Sequence, residues 1–143
     1  MTPTQIDLIR TSWTKVEPIA DTAAALFYGR LFQLDPSVRP LFAHADIAKQ
    51  GKILMQTLTV VVRSLDRLET IVPAVQGLGR RHAGYGVRPQ DYETVGAAFL
   101  WTLEQGLGPD FDDATRDAWA MAYGTLASVM LAAADEVQQA AAA

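Results

Sequence analysis

The stretch GRRHAGYGVRP, Gly79–Pro89, holds one of the chain's two histidines among three glycines and a proline. It reads as a helix that ends just after His82. Gly84 and Gly86 let the backbone leave the helix, and Pro89 opens the next one. Arg80 and Arg81 suit such a C-terminus, where the helix dipole favours cations. A histidine in that place has three readings: an ordinary residue at a surface helix end, a buried core histidine, or a ligand to a group that the sequence does not encode. The rest of the chain narrows the choice.

On both sides of this stretch the apolar residues recur with helical period. Upstream, a helix from about Glu69 to His82 follows a long amphipathic one from Asp46 to Leu65. In the latter, Leu54, Leu58, Val61, Val62 and Leu65 fall at three- and four-residue steps. Downstream, a helix from Pro89 carries Tyr92, Val95, Phe99 and Leu103. GLGPDF (Gly106–Phe111) interrupts the pattern, and Asp112 or Asp113 caps a last helix with Trp119, Ala122, Leu126 and Met130 inward. At the other end Thr2 caps a helix opened by Pro3, with Ile6, Ile9, Trp13 and Val16 on one face. Asp21 to Leu34 is a second helix, and Asp35 caps a short turn opened by Pro36 and limited by Pro40. Only LTVVV (Leu58–Val62) is strand-like, and it sits inside a stronger helical period. The expected class is all-α, with about seven helices in one domain over 1–143, residues 140–143 being a tail expected to fray.

Half the residues are hydrophobic and a fifth are charged, an ordinary globular balance. A net charge of −4 argues against a general nucleic-acid binder. With no cysteine, disulfides, zinc thiolates, iron–sulfur clusters and thiolate catalysis are excluded. Met1 leads into polar TPTQID, so no secretory signal is expected. The apolar runs are too short to span a bilayer, and the cytoplasm is the default location. There is no recognisable Ser-His-Asp set, no phosphate loop after a strand, and no Glu-x-x-His pair of the di-iron kind. What remains for His82 as a ligand is one axial bond to a cofactor that brings its own metal, and haem fits that description.

Three blocks carry a family resemblance. LFYGRLFQLDPSVRPLF (Leu26–Phe42), LGRRHAGYGV (Leu78–Val87) and YETVGAAFLWTLEQGLGPDFDDATRDAWAMAYG (Tyr92–Gly124) occur in order over nearly the whole chain. Together they resemble a single-domain bacterial globin, similar to flavohaemoglobin haem domains and to neuroglobins. The resemblance implies a globin fold around haem b (iron protoporphyrin IX). It gives His82 the proximal iron-ligand position, and Phe42 the aromatic that wedges on the haem at the corner after the third helix. It gives Tyr28 and Gln50 the distal positions, with Leu54 one turn after Gln50, and Tyr92 the proximal tyrosine position. Leu78, Val87, Val95 and Phe99 complete the implied haem contacts. The residues themselves allow plainer roles: Tyr28 as a core tyrosine, Gln50 facing solvent with Lys49 or Lys52 nearer the pocket, His44 as a surface loop residue or a propionate neighbour.

Such a pocket implies reversible binding of O2, CO and NO at a five-coordinate iron. The Tyr28 hydroxyl and Gln50 amide would donate to a ligand that gains negative charge. At about 1.5–3 kcal/mol each, two such bonds would slow O2 loss by roughly a hundredfold or more. The enzymatic alternative is a nitric oxide dioxygenase, with Tyr28 and Gln50 as its catalytic residues. Since the chain is expected to end soon after the last globin helix, that activity would need an external reductase. A peroxidase-like role is less favoured, because the place of the family's proximal glutamate falls near Ala134, with Asp135 and Glu136 just past it. A haem-free interaction module is a third possibility. A monomer or weak homodimer is expected, with no nucleic-acid or membrane partner.

Overall fold

The computed structural model describes residues 1–142, apart from the side chains of residues 138 and 140–142. Six α-helices follow one another: α1 (Pro3–Val16), α2 (Ala20–Leu34), α3 (Ile47–Arg63), α4 (Val72–Gly84), α5 (Pro89–Leu107) and α6 (Asp113–Ala142). Short 3-10 segments lie at Glu17–Ile19, Pro36–Phe42, Leu65–Thr70 and Gly108–Asp110. Counting the Pro36–Phe42 segment, these make the seven expected helical pieces, and no strand occurs among the described residues. Of the tail expected to fray, α6 runs on through Ala142, and residue 143 lies outside the described residues.

Most helix starts carry the expected caps. Thr2 and Gln5 form a reciprocal capping box, at 2.9 and 3.1 Å, ahead of Pro3. Asp46 accepts from the Lys49 N–H, Asp35 from the Ser37 N–H, and Asp112 from the Thr115 N–H. It is therefore Asp112, not Asp113, that caps α6.

Two boundaries differ from the periodicity. The long helix stops at Arg63 rather than Leu65, where Ser64 leaves helical geometry at φ −104° and ψ 8°, and Arg10 of α1 donates to the carbonyls of Val62 and Arg63, each at 3.2 Å. Those are last-turn acceptors that would otherwise lack partners. The next helix starts at Val72 rather than Glu69. Arg67 leaves helical geometry at φ −149°, and the chain re-enters a helix only where Pro73 occupies the first turn.

The core lies where α1, α2, α3, α5 and α6 meet, with Ile9, Trp13 and Leu103 essentially inaccessible. Trp119 links the helices by packing on Trp13 at 5.7 Å and Phe99 at 5.5 Å, while its indole N–H donates to Ser12 at 2.8 Å. α4 lies along α6, and Gly79 makes this possible: a Cβ there would overlap the backbone of Met130. No helix among the described residues is long and apolar enough to cross a membrane.

Candidate functional site

His82 sits in the last turn of α4 and is half-buried. Its Nδ1 lies 2.7 Å from the carbonyl oxygen of Leu78, one turn back. A carbonyl only accepts, so Nδ1 carries the proton and Nε2 keeps its lone pair. Burial lowers the imidazole pKa, the Leu78 carbonyl opposes this, and nearby Arg81 lowers it further. The net result favours a neutral ring with one nitrogen available as a ligand.

The helix then closes in a Schellman motif. The Val87 N–H bonds the His82 carbonyl at 3.0 Å, and the Gly86 N–H bonds the Ala83 carbonyl at 3.1 Å. Gly86 supplies the required positive φ of 94°. Gly84, also expected to release the chain, is instead the last helical residue. The exit carries Gly86 to the corner of the Pro36–Phe42 segment, where a Cβ on it would stand 3.5 Å from Leu41.

At that corner Phe42 packs edge-on against Tyr28 and Phe32, both with ring centroids at 5.5 Å. Tyr28 is buried, only 5 % exposed, and burial pushes its hydroxyl pKa up to about 12. The Gln50 side chain acts on the same hydroxyl in the opposite direction, which places the two side by side. α2 and α3 approach closely enough for this because residue 51 is glycine. A Cβ there would stand 2.8 Å from the Ala24 Cβ and 4.0 Å from the Tyr28 ring. Gln50 is half-buried, whereas Lys49, Lys52 and His44 are exposed.

Leu54, Val95 and Phe99 meet at an apolar cavity of about 70 Å³, together with Leu58, Trp119 and Tyr123. Tyr28, Phe42, Gln50, Leu78, His82, Val87 and Tyr92 are not in its wall. Leu78 and Val87 are half-buried. Tyr92 is buried, its hydroxyl has no hydrogen-bond partner among the described residues, and burial raises its pKa. Tyr123 donates its own hydroxyl to the Tyr92 backbone carbonyl at 2.6 Å, seated over Gly96. Ala134 is buried. The two acids after it are exposed and engaged elsewhere, Asp135 with Gln139 at 2.9 Å and Glu136 with Arg80 at 3.5 Å.

Sequence reasoning missed three participants. The Leu78 carbonyl was discoverable, because helical side chains tilt back toward the preceding turn. Gly51 and Arg10 were not, since their roles depend on partners from other helices.

A half-buried, neutral imidazole with one free ring nitrogen, an aromatic corner and apolar side chains suit an iron porphyrin, which asks the protein for one axial donor. Residues 25–130 match the family model described as Globin. The chain is 30 % identical over 115 residues to a flavohemoprotein of Rhizobium meliloti, covering 79 % of this chain but only 28 % of that protein. It is 29 % identical over 136 residues to neuroglobin of Danio rerio, covering 86 % of each. Among solved structures, a bacterial globin from Campylobacter jejuni superposes with a TM-score of 0.85 at 26 % identity, over 96 % of this chain and 99 % of that one. By its fold and its sequence, the chain belongs to the globin family, whose members bind haem and small gases such as O2.

Proposed function

We propose that this globin binds haem b through His82 and takes up O2 reversibly, with CO and NO as competing ligands. The observation that carries the reading is the 2.7 Å contact between His82 Nδ1 and the Leu78 carbonyl, because it leaves Nε2 as the donor atom. Haem, when bound, supplies an iron with one position for a diatomic gas. Phe42 packs on the macrocycle, with Leu78 and Val87 on the proximal side and Leu54, Val95 and Phe99 as apolar wall. Tyr28 donates its hydroxyl to the bound gas, held neutral by a pKa of about 12, and Gln50 donates an amide N–H beside it. Gln50 is a poor iron ligand compared with histidine, so a ferrous haem held by His82 would keep its second axial position free.

The similarity to a flavohemoprotein favours a second reading, nitric oxide dioxygenase. NO, O2 and one electron from a separate reductase would yield nitrate, with Tyr28 and Gln50 orienting O2. The proximal side weighs against it. Ala134 carries no acid, Asp135 and Glu136 are turned to other partners, and the Tyr92 hydroxyl has no partner among the described residues. His82 bonds a carbonyl rather than a carboxylate, and a neutral acceptor would give a haem iron held by this ring less electron push. Purified protein in air should show a Soret band that shifts with O2 and CO. Sustained NO consumption with stoichiometric nitrate would select the enzyme instead.

A further inference from the structure

Asp91, in the first turn of α5, is the only buried charged residue among the described residues, 2 % exposed. A carboxylate so placed is costly unless it is well paired. Its partner is Arg88. The Arg88 backbone N–H donates to Oδ2 at 2.8 Å, and the guanidinium Nη2 donates to Oδ1 at 2.9 Å. The backbone bond alone would suffice as a helix cap. The guanidinium bond adds something else: it orders a long side chain that is itself 50 % exposed.

So held, the same Nη2 reaches a second acid, Asp35, at 3.6 Å. Asp35 caps the Pro36–Phe42 segment by accepting from the Ser37 N–H at 3.0 Å, and that segment ends on Phe42. Arg88 follows Val87, whose N–H bonds the His82 carbonyl at 3.0 Å. The two segments also approach each other at Gly86, where a Cβ would stand 3.5 Å from Leu41. The chain leaving His82 and the chain leading to Phe42 are thus joined at two points, one ionic and one apolar.

We propose that Arg88 is a positioning residue of the haem site: it clasps the exit of the His82 helix to the corner that carries Phe42, with Asp35 as the catch and Asp91 as the anchor. The inference rests on the haem reading above, in which His82 and Phe42 serve one group from two separate segments. An exposed ion pair usually contributes little, because ordering two side chains costs entropy. Here Asp91 has already ordered Arg88, and the bond from Ser37 has ordered Asp35, so closing the clasp costs little more.

The test measures haem transfer from the ferric holoprotein to a competing apoglobin. Asp35→Asn keeps an oxygen for the Ser37 cap and removes the charge. It should speed haem loss about threefold at low ionic strength, and the difference should vanish once salt screens the pair. Arg88→Gln should speed loss about tenfold, since it also strands Asp91, and Arg88→Lys should recover part of this. Adding Asp35→Asn to Arg88→Gln should change nothing further, because the two act through one contact. The iron–histidine stretching band of the ferrous protein should shift in both single variants. Wild-type haem loss in Asp35→Asn at low salt overturns the proposal, as does an additive double variant or an unmoved band. A colourless preparation refutes the haem reading instead. Amide hydrogen exchange of that protein then decides the clasp: Asp35→Asn should speed exchange severalfold at Ala43 and Ala45, whose N–H groups bond Pro40 and Phe42 in the corner, and unchanged exchange overturns it.

Discussion

The Nδ1 atom of His82 and the carbonyl oxygen of Leu78 stand 2.7 Å apart, one helical turn from each other. That contact fixes the tautomer, aims the ring and leaves Nε2 free, so one bond within α4 prepares the site's only implied iron ligand. Because the acceptor is backbone, substituting the Leu78 side chain does not remove it. The consequences of burying the ring are open to measurement.

Burial lowers the His82 pKa below its ordinary 6.5. As pH falls through about 6.5, the unfolded chain takes up a proton before the folded one does. The stability linked to His82 is thus fully present above that pH and declines on acidification until the folded pKa is reached. Asp35, Asp66 and Asp112, whose pKa values are lowered from 3.8, lose their contributions at more acidic pH still. Urea unfolding of the haem-free chain at pH 7.5, 6.5 and 5.5 should show the decline. His82→Gln should flatten it over this interval, and an equal slope in the variant would assign the decline to other groups.

Tyr28→Phe keeps the ring that packs on Phe27 and Phe42 and removes only the hydroxyl. Hydrogen bonds to charged acceptors are worth about 1.5–3 kcal/mol, so O2 should dissociate roughly ten- to a hundredfold faster. CO, which gains less charge, should change less. Stopped-flow displacement of O2 by CO reads the first effect, and an unchanged rate would remove Tyr28 from the gas site.

Much of this was legible in one dimension, and the exceptions share a cause. Helix starts at Thr2, Asp46 and Asp112 follow from local side-chain chemistry, and the structure bears them out. So does the all-α class, because period and caps are properties of neighbouring residues. Arg63 as the end of α3 was not legible: its carbonyl is satisfied by Arg10, 53 residues earlier. Gly84 and Gly86 look alike in sequence, yet only Gly86 takes a positive φ, because the Schellman bonds select it. In the sequence, Tyr28, Phe42 and Gln50 are grouped only by the family resemblance. The approach of the Gln50 helix to Tyr28 depends on Gly51, whose importance appears only when α2 lies across it. The conditional role of Asp135 and Glu136 likewise needed three dimensions, since both turn to partners away from Tyr92.

Gly51→Ala tests that dependence. The added methyl would stand 2.8 Å from the Ala24 Cβ, so α3 must shift from α2 and carry Gln50 away from Tyr28. O2 release should quicken severalfold while the chain loses about 1–3 kcal/mol of stability. Stability loss with unaltered O2 kinetics would show that the helix crossing does not set the distal pair.

Gly79→Ala acts on the other side of the molecule. A Cβ there overlaps the backbone of Met130, which has little freedom to move, so α4 is forced off α6 at a cost of about 1–3 kcal/mol or more. Thermal unfolding should register a lower Tm, and haem loss to a competing apoprotein should quicken because His82 rides on α4. An unchanged Tm would mean that the two helices are not in the close packing described.

The most direct test of the central claim, that His82 alone holds the haem iron and leaves one position open, is the absorption spectrum of the ferrous protein without added ligand. The account predicts a high-spin, five-coordinate spectrum that converts sharply on adding CO, and loss of haem retention in His82→Ala. A low-spin, six-coordinate ferrous spectrum, or haem bound equally well by His82→Ala, would contradict it.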